Sequence, residues 1–263
     1  MTRRVLLNAA LVLGSLAVRV PAAEERQAIE LRTYLFASEA KLEAFAAYAR
    51  EALVPALHRA GCRPVGLFAL RAEDNKNLPA AWSNEFRLLL LIPHPTFDSV
   101  FLLDDRLAVD AAHAAAEAAA LQAPMKDPVY LRRETQIMAG FQECPRVVAP
   151  VSGPQRVVQL RIYESHNEER ARRKVEMFDQ GGEIAIFRSV GLLPVFFGRS
   201  VGGTLMPNLT YMLAFESPSA MEAAWAKFRA DPAWIRLKDD PKYADTVSRI
   251  TNLILRPLPG SDI

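Results

Sequence analysis

Apolar and polar residues alternate along Ile29 to Tyr34 (IELRTY) and again along Val158 to Tyr163 (VQLRIY), the period of a half-buried strand. The two segments are nearly the same sequence, and the pattern after each recurs in the same order. In the first copy, Ser38 and Glu39 open a helix that puts Leu42, Phe45, Ala49 and Leu53 on one face and ends near Gly61. Pro55 falls inside it and predicts a kink, because proline cannot donate to the carbonyl four residues back. In the second copy, Asn167-Glu168-Glu169 opens a helix carrying Val175, Phe178 and Ile186 to Gly191, with Gly181-Gly182 weakening its middle. Strands follow at Pro64 to Leu70 and Pro194 to Gly198, then loops at Glu73 to Asn84 and Arg199 to Asn208. Third strands are predicted at Phe86 to Ile92 and Leu209 to Phe215. Each copy adds a helical region (Thr96 to Leu121; Ser217 to about Tyr243) and a last strand (Val129 to Met138; Ile250 to Arg256).

Both copies read β-α-β-β-α-β, the ferredoxin-like order, so the expected fold class is α+β. Residues 28–138 and 156–257 form the two units, and 139–155, with Pro145, Pro150, Gly153 and Pro154, is the linker. The copies are unequal. Where the second has Trp225, Phe228, Asp231-Pro232 and Trp234, the first has Phe101, Leu102, Asp104-Asp105 and an alanine-rich run, so the first looks degenerate. A four-stranded sheet with both helices on one face leaves its other face bare. The same face of the second copy would cover it, giving two units packed sheet to sheet as a pseudo-dimeric α/β barrel.

Alternation sorts the side chains of the first strand into Ile29, Leu31 and Thr33 on one face, and Glu30, Arg32 and Tyr34 on the other. The apolar set is expected under the helices. The polar set, with Gln159, Arg161 and Tyr163 of the second copy, is expected in the space between the sheets. Arg32, Tyr34, Arg161 and Tyr163 are therefore the candidate pocket for a small organic ligand, with a carboxylate suiting the guanidinium fork. Alternatively, Arg32 and Arg161 pair with Glu30 or another internal acid and plug the barrel.

Little other chemistry stands out. None of His58, His94, His113 and His166 stands four residues from another, so no helical metal pair is present and no metal is expected. His94, between Pro93 and Pro95 just past a strand end, is the acid–base candidate near a cleft mouth. His113 sits among alanines on a helix read as solvent-facing. Gly202-Gly203 lacks the lysine and the context of a phosphate loop, and no cofactor is expected. Hydrophobic residues make up 51% of the 263, enough for a large core, and the net charge of +2 comes without a basic run that would suit nucleic acid.

That charge sits at the N-terminus. Arg3-Arg4, the apolar stretch Val5 to Val18 and Val20-Pro21-Ala22 read as an export signal over residues 1–23, cut near Ala22 or Ala23. The stretch is shorter than the roughly 20 residues a membrane span needs, so no stable span is expected in the mature chain. Cleavage removes three arginines and no acid, turning +2 into −1. In a periplasmic or secreted protein Cys62 and Cys144 could pair, but nothing in their spacing decides it.

The motifs L-R-x-Y (Leu160 to Tyr163), G-x-x-P-V (Gly191 to Val195), P-N-L-T-Y-M-L-x-F (Pro207 to Phe215) and W-x-x-F-x-x-D-P-x-W (Trp225 to Trp234) together resemble the NIPSNAP family. The resemblance spans residues 28 to 257 and is better in the second half. It implies the dimeric α/β-barrel superfamily, tandem ferredoxin-like units and frequent homo-oligomers. That superfamily includes cofactor-free monooxygenases, small-molecule isomerases and haem proteins, while NIPSNAP-like members have no settled activity. Three readings follow. The first is an exported NIPSNAP-type protein holding a small organic ligand between its sheets. The second is a cofactor-free monooxygenase or isomerase in which His94 or a tyrosine handles protons. The third is a structural or interaction module with a plugged barrel.

Overall fold

A computed structural model describes residues 25–83 and 86–263; the expected export signal and its cleavage site lie outside the described residues. In the first half, β1 (Ala28–Phe36) leads to α1 (Glu39–Tyr48), capped by Ser38, whose hydroxyl accepts from the Lys41 N–H. A π-helical turn over Ala49–Leu53 passes directly into α2 (Val54–Arg59). Pro55 sits in the first turn of α2, so the expected kink takes the form of a change in helix type before the proline. Next come β2 (Gly66–Leu70), the short α3 (Ala80–Ser83), β3 (Phe86–His94), α4 (Asp98–Val109), α5 (Ala111–Leu121) and β4 (Arg132–Gly140).

The second half runs β5 (Val157–Glu164), α6 (Glu168–Asp179), α7 (Glu183–Ser189), β6 (Leu193–Gly202), β7 (Asn208–Phe215), α8 (Pro218–Ala230), α9 (Pro232–Lys238) and β8 (Arg249–Pro257). Gly181-Gly182 does more than weaken a helix. Gly182 takes φ 92°, a left-handed conformation that suits glycine, and separates α6 from α7. Asp231 ends α8 and caps α9, accepting from the N–H groups of Ala233 and Trp234.

The eight strands close into one antiparallel barrel in the order β1-β3-β2-β8-β5-β7-β6-β4. Within each half the order is the ferredoxin-like one, β4-β1-β3-β2 and β8-β5-β7-β6. Two hydrogen-bonded seams join the halves, β2 with β8 around Ala69↔Arg256, and β4 with β6 around Ala139↔Arg199. At the second seam Gly198 gives the backbones room, since a Cβ there would stand 2.8 Å from the Cβ of Met138.

The side-chain faces are the reverse of the sequence expectation. Ile29, Leu31, Phe68, Leu89, Leu91, Leu160, Phe196, Met212 and Leu253, from seven of the strands, meet in one buried cluster inside the barrel. An eight-stranded barrel is just wide enough for side chains to fill, and its centre has no route to water, so the apolar set belongs there. The polar set of β1 and β5 faces the helices. There the gap between helix and sheet opens at its rim, and a charged head can reach solvent or a partner. Two further clusters lie between sheet and helices, one around Tyr34, Phe45 and Leu90 and one around Phe178, Phe187 and Tyr211. The expected ligand position between the sheets is therefore filled with apolar side chains.

Candidate functional site

Alternation along β5 sends Gln159, Arg161 and Tyr163 to the helix side, where α6 to α9 roof a chamber of about 470 Å³. The Arg161 guanidinium is largely buried. One terminal N–H donates to the Tyr163 hydroxyl at 3.0 Å, and the guanidinium carbon lies 5.0 Å from the centroid of Trp225 and 5.4 Å from that of Tyr163. Its Nε is buried without a hydrogen-bond partner, and no carboxylate forms an ion pair with it among the described residues. The Tyr163 oxygen also accepts from the Tyr211 hydroxyl at 3.2 Å; Tyr211 is fully buried, and burial pushes its phenol well above the ordinary range.

The chamber is also lined by Lys174 from α6 and Glu183 from the start of α7, 3.1 Å apart and both buried. Burial pushes the Glu183 carboxyl up, and the Lys174 ammonium only partly offsets it. Trp225 of α8 donates its indole N–H to Gln159 Oε1 at 2.7 Å, and Gln159 donates in turn to Asn252 Oδ1 at 2.7 Å. Phe228 and Trp234, with ring centroids 4.4 Å apart, complete an aromatic side.

The equivalent chamber of the first half is smaller, about 240 Å³, and its arginine is engaged. Arg32 Nε donates to Glu30 Oε1 at 2.6 Å, and a terminal nitrogen reaches Glu30 Oε2 and Asp104 Oδ1, each at 3.3 Å. His94 Nε2 donates to Glu30 Oε2 at 2.9 Å, and its Nδ1 stands 3.2 Å from Ser99 Oγ. Burial works against the Glu30 charge, but the His94 hydrogen bond and Arg32 outweigh it and hold the carboxyl below its ordinary range. Burial raises the Tyr34 phenol.

The four predicted pocket residues thus divide between two chambers. Arg161 and Tyr163 line one, while Arg32 and Tyr34 line the other, where Arg32 follows the plugged alternative under the helices. His94 is the last residue of β3, fully buried, and lines neither chamber instead of standing at a cleft mouth. His113 is also buried, not solvent-facing. Its Nδ1 donates to the Leu107 carbonyl at 3.1 Å, which leaves Nε2 to accept from the Tyr48 hydroxyl at 2.9 Å. Cys62 and Cys144 are both free and buried. Among the described residues, no cluster of three His, Cys, Asp or Glu side chains is placed to hold a metal, and no helix is long and apolar enough to cross a membrane.

Sequence reasoning passed over Lys174 and Glu183, and named Gln159 on the polar face without placing it in the candidate pocket. Two signals for them were present. Lys174 stands four residues before the core residue Phe178, on the same helix face, and Gln159 replaces Glu30 at the equivalent position of the repeated strand.

The NIPSNAP family model matches residues 156–262. Among solved structures, the chain is similar to a candidate monooxygenase from Fusobacterium nucleatum, with a TM-score of 0.57 at 5% identity over 89% of this chain and 94% of that one. It is similar to a second, from Lactobacillus acidophilus, with a TM-score of 0.54 at 10% identity over the same shares. A NIPSNAP-like domain protein of Burkholderia xenovorans matches 40% of this chain and 86% of its own at 22% identity, with a TM-score of 0.35. No curated protein matches the sequence. The first two likenesses show the dimeric α/β-barrel fold across both halves. Residues 156–262 thus match the NIPSNAP family model and close into one barrel with a first half of the same strand order.

Proposed function

We propose that the second-half chamber binds a small organic anion, with Arg161 taking its carboxylate. The observation behind this reading is the state of Arg161, a largely buried guanidinium with an unpaired Nε, no ion pair among the described residues, and a cavity of about 470 Å³ beside it. The guanidinium has hydrogen-bonding capacity that its own chain leaves unused, and an arriving carboxylate would fill it. The guanidinium fork suits a bidentate carboxylate, and Trp225, Phe228 and Trp234 offer flat apolar contact to the rest of the molecule.

A second reading, turnover by a cofactor-free oxygenase or isomerase, is favoured by Tyr163. Its oxygen accepts two hydrogen bonds, which leaves the phenolic proton free to serve a ligand. The candidate-monooxygenase neighbours support that direction through their fold alone. Export to the periplasm or medium and homo-oligomer formation belong to the same proposal.

Native mass spectrometry of the mature protein from its own compartment, with thermal unfolding in 3-phenylpropanoate and benzoate, tests it. The expected result is a chain starting after Ala22 or Ala23, an oligomer, and stabilisation by a carboxylate that Arg161→Met abolishes. A bare chain that no carboxylate stabilises would overturn the ligand reading and leave the structural one.

A further inference from the structure

The helix α6 is one of the most polar stretches of the chain (EERARRKVEMFD), yet it turns a lysine inward. Lys174 is 5% exposed, its Nζ 3.1 Å from Glu183 Oε2, 3.2 Å from Met177 Sδ and 4.5 Å from the centroid of the Phe178 ring. Packing does not require the pair, because apolar side chains of similar volume stabilise such a site as well or better. Both residues line the chamber that contains Arg161. Lys174 Nζ touches a carboxyl, Glu183, that burial drives toward its neutral form, a partner able to take up and return a proton during chemistry at the amine. Amines held in this way are nucleophiles toward carbonyl carbon.

We propose that Lys174 forms a Schiff base with the ketone of a 2-oxo carboxylate whose carboxylate is held by Arg161, with Glu183 carrying the proton. The proposal rests on the ligand-binding reading above. The Lys174 ammonium first gives one proton to the Glu183 carboxylate. The nitrogen lone pair then adds to the ketone carbon while the carbonyl π pair moves to oxygen, and that oxygen takes a proton from the new nitrogen centre. Glu183 returns its proton to the resulting hydroxyl, the carbon–oxygen bond breaks, water departs, and the nitrogen–carbon double bond forms. The sum is ammonium plus ketone giving iminium plus water. Glu183 ends as the carboxylate it began as, and nothing is oxidised or reduced. Trp225, Phe228 and Trp234 favour an aryl group on the far end of the acid.

The test incubates the full chain with phenylpyruvate and sodium cyanoborohydride, and reads intact mass and the modified peptide. 3-Phenylpropanoate, which has the same ring and carboxylate but no ketone, serves as the binding reference. One reduced adduct per chain at Lys174 is expected, with trapping about a hundredfold slower in Glu183→Gln. Binding of 3-phenylpropanoate without an adduct at Lys174 would overturn the Schiff base and leave the ligand reading standing. Absence of binding by either acid would overturn both. Adducts spread evenly over surface lysines would also overturn the covalent step, and since wild-type peptides report this, the outcome does not depend on any variant folding.

Discussion

Arg32 and Arg161 occupy equivalent positions in β1 and β5, on the same helix-facing side, and differ in the residue two places earlier. In the first half that residue is Glu30, which accepts from both Arg32 and His94. In the second it is Gln159, which cannot pair with a guanidinium as an anion and instead binds Trp225 and Asn252. One carboxylate exchanged for an amide separates a satisfied ionic plug from an arginine with an open Nε. The halves share an architecture, and the charge balance of a single strand face decides which of them keeps an arginine with an unpaired Nε.

Removing the arginines should give the largest contrast. Arg32→Met leaves Glu30 buried beside a histidine alone and is expected to cost about 3–5 kcal/mol. Arg161→Met leaves Glu183 its direct partner Lys174 and is expected to stay within about 1 kcal/mol of wild type. Urea unfolding of both variants reads the difference, and equal losses would mean that Arg161 has a structural partner after all.

Converting the second half into the first comes next. Gln159→Glu places an acid beside Arg161 as Glu30 stands beside Arg32, and should weaken carboxylate binding at least about tenfold, or ~1.4 kcal/mol. Calorimetric titration with 3-phenylpropanoate measures it; unchanged affinity would show that Arg161 does not bind the carboxylate.

Acid should reveal the same asymmetry more gently. The folded-state pKa of Glu30 lies below the ordinary 4.5, so its contribution to stability is fully present above that value. It is lost as pH falls through the folded pKa. The stability gap between wild type and Glu30→Gln should therefore narrow with acid, and a gap constant down through that range would contradict the ion pair. The smallest effect is expected from a reductant. With Cys62 and Cys144 both free and buried, dithiothreitol should leave the Tm unchanged, and a clear fall would indicate a bridge.

The repeat, the strand–helix order and most boundaries were legible in the residues. Ser217-Pro218 and Asp231-Pro232 start α8 and α9 as their cap-plus-proline chemistry requires. Arg161 and Tyr163 were legible as one polar face. Their separation from Arg32 and Tyr34 was not, because the distance between two strands of different repeats has no local signature. The burial of His94 and His113 was hidden for a related reason. A histidine among alanines or prolines looks solvated until Glu30 or Tyr48 arrives from another element.

By itself the sequence determined the two ferredoxin-like halves and which side chains share a strand face, since both follow from backbone period and capping within a few residues. Only the tertiary structure decided which face turned inward. Alternation has the same period whichever way the strand is flipped, and closure of eight strands around a water-free centre selected the apolar side. That choice moved the arginines under the helices, where Glu30 neutralised one and Gln159 left the other open.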